Sequence, residues 1–285
     1  MLARLFAYCQ YLLPKFWLTA IIYRLARISN TTVKDFLITR FVRIYKVDVG
    51  EIRQEYPGGF ATFNDFFIRE LAHDARPIDD DDTAIVSPVD GTISQIGDLH
   101  DDRILQAKGI EYSLNELLAT DLDDARVFAN GRFATIYLAP YNYHRVHAPL
   151  SGELVAASYI PGDLFSVNTA TASHIRGLFR RNERLVLKFR TAVGPAAVIL
   201  VGAMNVGSIS TPWSGELRPR HKGMVASIDL GPETVAVARG ELLGWFNLGS
   251  TVIVLLPGEG CGWREDVVAG RAVQMGQRLG SLSRD

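Results

Sequence analysis

WFNLGSTVIVLL, residues 245–256, decides the fold. It is an apolar, partly β-branched run of strand length, interrupted by Gly249-Ser250-Thr251. A glycine within a strand pattern marks a bulge or a tight entry to a strand. The same triplet also sets a hydroxyl beside a residue with no Cβ, which makes Ser250 a candidate nucleophile. The run alone leaves both readings open. Outward from it, FATIYLAP (133–140), ERLVLKF (183–189) and AAVILVGAMNVGSI (196–209) repeat the pattern of short apolar runs broken by glycine and proline. Beyond residue 84 the chain therefore reads as α+β, mainly β. A sandwich- or barrel-like catalytic domain is expected, with helices at its N-terminal end.

SPVDGTI (87–93), APLSGEL (148–154) and TPWSGEL (211–217) share small-Pro-x-Asp/Ser-Gly-x-Ile/Leu, with Pro88, Pro149 and Pro212 at near-equal intervals. Proline, a small polar residue, glycine and an apolar residue spell a turn feeding a strand. The pattern is similar to the turns of biotinyl-carrier and hybrid-motif β folds.

The chain has 285 residues, 48% of them hydrophobic and 21% charged, and a net charge of −1. It is long enough for a real core, and no global basic field points to nucleic acid. Cys9 and Cys261 make no disulfide scaffold and lack metal-ligand spacing, so a reducing, cytoplasmic environment is expected.

Residues 1–34 carry Arg4, Lys15, Arg24, Arg27 and Lys34 among many aromatic and aliphatic residues, and no acid. Phe16–Tyr23, an uncharged stretch between two of those basic residues, is too short to span a bilayer. It lies late for a signal-peptide core. From Val33 to Val47, the residues Val33, Phe36, Leu37, Phe41 and Ile44 fall at helical spacing, with Arg40, Arg43 and Lys46 across much of the other face. Residues 1–58 thus read as an amphipathic helical segment associating with an anionic membrane surface. The competing arrangement packs these helices on the rest of the protein. Residues 59–285 form the β-rich domain. Thr62 is expected to cap a helix through 63–71, Ser113 and Glu116 to form a capping box before 114–119, and Asp79–Asp82 to be a solvated loop.

YNYHRVHAP (141–149) places His144 and His147 three residues apart between two prolines. In a strand or loop such a pair diverges, which weakens a metal reading. Asp90 sits in the first repeated turn, where Asp-Gly has a purely conformational explanation. Aspartate, histidine and serine nevertheless form a set that activates a nucleophile. Zinc held by Asp90, His144 and His147 is the alternative chemistry, and a non-catalytic β module on a membrane is a third reading. In LGST, attack by Ser250 Oγ on the Gly249 carbonyl gives an ester. Elimination and hydrolysis then leave a pyruvoyl group on a new N-terminus. Glycine admits the close, strained approach this needs.

ATFNDFFIREL (61–71), PVDGTISQIG (88–97), YHRVHAPLSGEL (143–154), PGDLFSVN (161–168) and NLGSTVIVLLPG (247–258) together resemble bacterial phosphatidylserine decarboxylases, in that family's order. The resemblance implies that Asp90 and His147 are a charge-relay pair and Ser250 the self-cleaving serine. Cleavage between Gly249 and Ser250 would give a large chain 1–249 and a small chain 250–285 that stay associated. Position 250 would become the pyruvoyl cofactor, with no metal, and would form a Schiff base with the serine amine of phosphatidylserine. Loss of CO2 would then yield phosphatidylethanolamine for phospholipid synthesis. His144 is the candidate proton donor to the carbanion. Ser166 and Asn168 are candidate headgroup contacts, with a role as plain turn residues the competing reading. The expected location is peripheral, on the cytoplasmic face of the bacterial cell membrane. The oligomeric state is open, a homodimer being one arrangement.

Overall fold

The computed structural model describes residues 2–107, 109–119, 125–205, 207–231 and 234–283. Met1 of the expected helical segment and Val206 of the 196–209 run lie outside them. Among the described residues, nine strands build one antiparallel sheet. Across it run 226–227, 152–160, 184–191, 194–201, 251–256, 132–137, 91–98 and 272–273, with 235–237 sharing the edge of 152–160. The run 251–256 lies near the middle, paired on both sides, and all six of its residues are buried. Its continuous apolar sequence is what such a strand requires, since neither face meets water. A second sheet joins 215–217, 209–211, 242–246 and 145–147, and a third joins 84–86, 278–282 and 261–263. The chain is α+β, mainly β, as expected.

Two long apolar runs do not continue as single strands. The 196–209 run leaves the large sheet after Val201 and enters the second sheet at Ile209. The 245–256 run passes the other way, ending one strand at Phe246 and starting the central one at Thr251. The Gly249-Ser250-Thr251 interruption is therefore a corner between sheets rather than a bulge.

Each glycine of the repeated turn is the first residue of a strand. A Cβ on Gly91 would stand 2.6 Å from the Tyr137 carbonyl oxygen, and one on Gly152 2.6 Å from that of Arg190. Those two glycines admit a neighbouring strand, whereas Gly215 supplies a left-handed turn at φ +65°.

Helices α1 (Leu2–Cys9), α2 (Lys15–Ala26) and α3 (Thr31–Tyr45) precede the sheets. They pack inward on the short helices 63–67 and 169–172 and on loop residues, and expose apolar residues on the other face. Inward, the buried Gln10 side chain donates to Thr171 Oγ1 at 2.9 Å and accepts from Ser166 N at 2.8 Å, while Thr19 Oγ1 accepts from Asn205 N at 3.1 Å. Outward, Leu12 is 87% exposed, Trp17 65% and Phe36 63%. On α3 the inward face differs from the expected stripe. Ile38 is fully buried against Val47, Ile52, Phe60 and Phe66, with Phe41 and Val42 packed beside them. Val33, Phe36 and Ile44 are left outside with Arg40 and Arg43. No described helix is long and apolar enough to cross a membrane.

Helix α4 (Phe63–Phe67) starts as expected, with Thr62 Oγ1 accepting from Asp65 N. It ends four residues early, because Leu71 pairs with Ile52 as an isolated bridge. The helix 114–118 forms without the expected box. Ser113 Oγ bonds the Asn115 side chain instead, and Glu116 pairs with Arg180 at 2.7 Å.

Candidate active site

The corner 247–250 is tied down from three sides. The buried Asn247 side chain accepts from Asn64 Nδ2 at 3.1 Å and donates to Ser208 Oγ at 2.7 Å and Ser210 Oγ at 3.0 Å. Leu138 N donates to the Ser250 carbonyl at 2.9 Å. Ser250 is 1% exposed and its Oγ has no hydrogen-bond partner. Gly249 is outside the left-handed region, and a Cβ there would meet only His144 Cε1 at 3.7 Å and the Leu138 carbonyl oxygen at 3.9 Å. These are ordinary contacts, so neither the space around Cα nor a left-handed backbone demands glycine here.

His144 lies beside Gly249, fully buried, its ring stacked on Phe67 with centroids 4.2 Å apart. Neither ring nitrogen has a partner in hydrogen-bonding geometry. Burial, reinforced by the positive charge of Arg69 and only partly offset by the Pro140 and Ala139 carbonyls, lowers its pKa to about 3. The imidazole is neutral near pH 7. Its own carbonyl accepts from Phe246 N at 3.1 Å, which pins the histidine segment to the strand leading into the corner.

A cavity of 420 Å³ opens at Gly249 and Ser250 and is lined by Ser166, Asn168, Ile22 of α2 and Phe41 of α3. Asn168 Oδ1 caps the short helix 169–172 by accepting from Thr171 N at 2.9 Å. Asn168 is thus a turn-and-cap residue that also faces the cavity.

Asp90 and His147 are gathered by backbone rather than by side chain. His147 N donates to the Pro88 carbonyl in the Asp90 turn at 2.8 Å. The His147 ring bonds the Gly240 carbonyl through Nδ1 at 2.8 Å and the Tyr143 hydroxyl through Nε2 at 3.0 Å. Asp90 is held by Arg76 at 2.6 Å and by Met275 N at 2.8 Å, and Arg76 also grips Glu51. The expected hydrogen-bonded line from Asp90 through His147 to Ser250 is therefore not formed. His144 faces the corner, whereas His147 at i+3 of an extended segment looks elsewhere. The same divergence separates the three residues of the zinc reading. Among the described residues, no three His, Cys, Asp or Glu side chains come together to hold a metal.

Sequence reasoning passed over Asn64 and Asn247, which join the 61–71 and 247–258 motifs, and Phe67, which buries His144. It also passed over Arg69 and Arg76. Arg69 is 4% exposed and donates to the Tyr141 and Asn142 carbonyls at 3.0 and 3.4 Å, leaving Nε and Nη1 unpartnered. The available signal was a polar residue within each aromatic-rich motif, but a motif does not say what it touches.

Residues 63–281 match the family model described as phosphatidylserine decarboxylase, and residues 5–46 match a second one described as PSD. A protein of Saccharophagus degradans named phosphatidylserine decarboxylase proenzyme is 42% identical over 278 residues, covering 98% of this chain and 97% of its own. Proteins of the same name from Nitrosococcus oceani and Shewanella loihica are 46% and 45% identical, each over 96% of this chain and over 90% and 97% of theirs. With the motifs, the fold and the buried serine corner in one molecule, this chain belongs to the phosphatidylserine decarboxylase family.

Proposed function

We propose that the chain cuts itself between Gly249 and Ser250 and then decarboxylates phosphatidylserine to phosphatidylethanolamine and CO2, contributing to phospholipid synthesis. The observation that carries this reading is the buried, unpartnered Ser250 hydroxyl at a corner that opens into a cavity and lies next to a neutral imidazole. Buried hydroxyls are nearly always hydrogen-bonded, and the exceptions call for a reason.

In processing, Ser250 Oγ attacks the Gly249 carbonyl carbon and loses its proton to a base. Asp90 and His147 are the proposed pair for that step. Burial lowers the His147 pKa, against the Gly240 hydrogen bond, and so keeps the ring able to accept a proton. To reach Ser250 the ring must exchange the Tyr143 hydroxyl for the serine. The Gly249–Ser250 C–N bond breaks as the base returns its proton to the freed amine, giving an ester. β-Elimination then releases the Gly249 carboxylate as the end of the large chain, and hydrolysis of the remaining enamine releases ammonia and leaves the pyruvoyl carbonyl.

The residues present suit a pyruvoyl group at position 250, since Ser250 is its precursor and its hydroxyl displaces no protein partner. Such a group supplies an electrophilic carbonyl that draws off the electron pair released with CO2. His144 stands ready to return a proton. An anionic headgroup in the cavity favours its protonated form and offsets the burial that otherwise keeps it neutral. Ser166 and Asn168 are the proposed headgroup contacts. The small chain stays in place because 251–256 is hydrogen-bonded on both sides to strands of the large chain.

Helices α2 and α3 supply Ile22 and Phe41 to the cavity and carry exposed Trp17, Phe36, Arg40 and Arg43. We place this face on the anionic cytoplasmic surface of the bacterial membrane, where the cavity receives a lipid headgroup from the bilayer. The deciding experiment is denaturing intact-mass spectrometry of wild type and Ser250→Ala. The expected result is two chains for wild type, 1–249 and 250–285, the second bearing pyruvoyl in place of serine, and one full-length inactive chain for the variant. A single unmodified chain from active wild type overturns the reading.

A further inference from the structure

Residues 216–221 run alongside α2. Glu216 Oε1 meets Arg27 Nη2 at 2.7 Å, Arg218 Nη2 donates to the Tyr23 hydroxyl at 2.6 Å, and the His221 ring packs edge-on to Phe16 with centroids 5.1 Å apart. The distances agree with a nearly extended strap. From Arg27 back to Phe16 the helix descends about 16 Å, and five extended residues also span about 16 Å. The strap thus travels from the C-terminal end of α2 toward its N-terminal end, where the α1–α2 turn presents Leu12.

The loop that follows has a fixed base and a free tip. At the base, Arg220 N donates to the Tyr159 hydroxyl at 3.0 Å and the Arg220 carbonyl accepts from Gly162 N at 3.0 Å. On the far side, Ala226 pairs with Tyr159. Between these anchors, His221 to Val225 are all exposed. Met224 at 90% and Leu12 at 87% are the two most exposed large hydrophobic side chains among the described residues. The loop carries Arg220 and Lys222, and residues 217–228 contain no acid.

An exposed apolar tip with basic shoulders, beside a helix that exposes Trp17, has the chemistry of an interfacial anchor: the thioether enters the acyl boundary and the cations meet anionic headgroups. We infer that the loop 220–225 is a second bilayer-contacting element, inserting Met224 beside the N-terminal helices and fixing the tilt of the protein on an anionic membrane. This inference rests on the membrane reading above.

The test labels Met224→Cys, in a Cys9→Ser background, with an environment-sensitive dye; Cys261 is buried. Trp17→Cys is labelled in parallel. Vesicles of phosphatidylcholine with phosphatidylglycerol are added, so that no substrate is present. A blue shift at both sites is expected. A shift at position 17 without one at 224 overturns the loop's role and leaves the helical anchor standing. No shift at either site overturns the membrane reading and the loop with it. In an independent measurement, the triple variant Arg220→Glu, Lys222→Glu, Met224→Asp binds these vesicles about tenfold or more weakly. Its self-cleavage and its turnover of detergent-dispersed phosphatidylserine stay at the wild-type level. Wild-type vesicle affinity in the triple variant overturns the inference.

Discussion

The His144 imidazole lies against the Phe67 ring, centroids 4.2 Å apart and planes 25° from parallel, with Gly249 on its edge. Phe67 closes α4, and α4 is tied to the corner through Asn64 and Asn247. The stack therefore holds the histidine against the segment proposed to be cut.

His144 should matter after cleavage rather than for it. Its anchor to Phe246 runs through the backbone carbonyl and survives a side-chain change. His144→Gln is expected to yield both chains on a denaturing gel while slowing decarboxylation by roughly 10²–10⁴-fold, the usual worth of a positioned acid or base. An uncut His144→Gln protein moves this residue into the processing step.

Buried His144 and half-buried His147 also make stability depend on pH. For His144 the folded pKa, about 3, lies below the ordinary 6.5. Between those values the unfolded chain binds a proton that the folded chain refuses. The stability this residue allows is complete above pH 6.5 and declines as pH falls toward 3, by at most about 1.4 kcal/mol per pH unit. His147, also lowered, acts in the same direction. Buried Glu183, raised to about 7 by desolvation against its hydrogen bond from Tyr159, acts oppositely, losing stability as pH rises through 4.5 to 7. Urea unfolding of uncut Ser250→Ala should show a steeper loss of stability between pH 6 and 4 than Ser250→Ala with His144→Gln. Equal slopes would mean that His144 is protonated in the folded protein.

Asp90 serves two masters, and two substitutions separate them. Its side chain is 5% exposed, and it satisfies both Arg76 and the Met275 amide. Asp90→Ala breaks a buried ion pair and should cost about 3–5 kcal/mol of stability. Asp90→Asn keeps an acceptor for Met275 and should fold with a smaller loss, read as a smaller fall in Tm. If the carboxylate charge supports His147, the folded Asn variant stays uncut. Wild-type cleavage of Asp90→Asn removes that role.

Gly249→Ala tests whether the corner needs glycine for chemistry or for shape. A Cβ there meets nothing closer than 3.7 Å, and the backbone is outside the left-handed region. The variant should fold within about 0.5 kcal/mol of wild type and be cut more slowly, because a methyl then crowds the carbonyl that Ser250 attacks. Unchanged cleavage kinetics would show that the bare Cα is dispensable.

Much of this was written locally. A strand buried on both faces must be apolar throughout, so 251–256 was legible as a strand; a turn that admits a neighbouring carbonyl must use glycine, so Gly91 and Gly152 were legible as strand starts. A small hydroxyl residue after glycine, among five ordered motifs, marked Ser250 before any fold was known. Other features depend on residues far apart in the chain. That Gly249–Ser250 is a corner between two sheets follows from the pairing of 242–246 and 251–256 with different neighbours. That Ile38 rather than Phe36 turns inward follows from where Val47, Phe60 and Phe66 come to rest. His144 and His147 look equivalent in YNYHRVHAP. Only the folded protein gives one to Phe67 and Gly249 and the other to Tyr143 and Gly240, since local sequence determines a segment's period and turns while long-range packing determines which side chains meet.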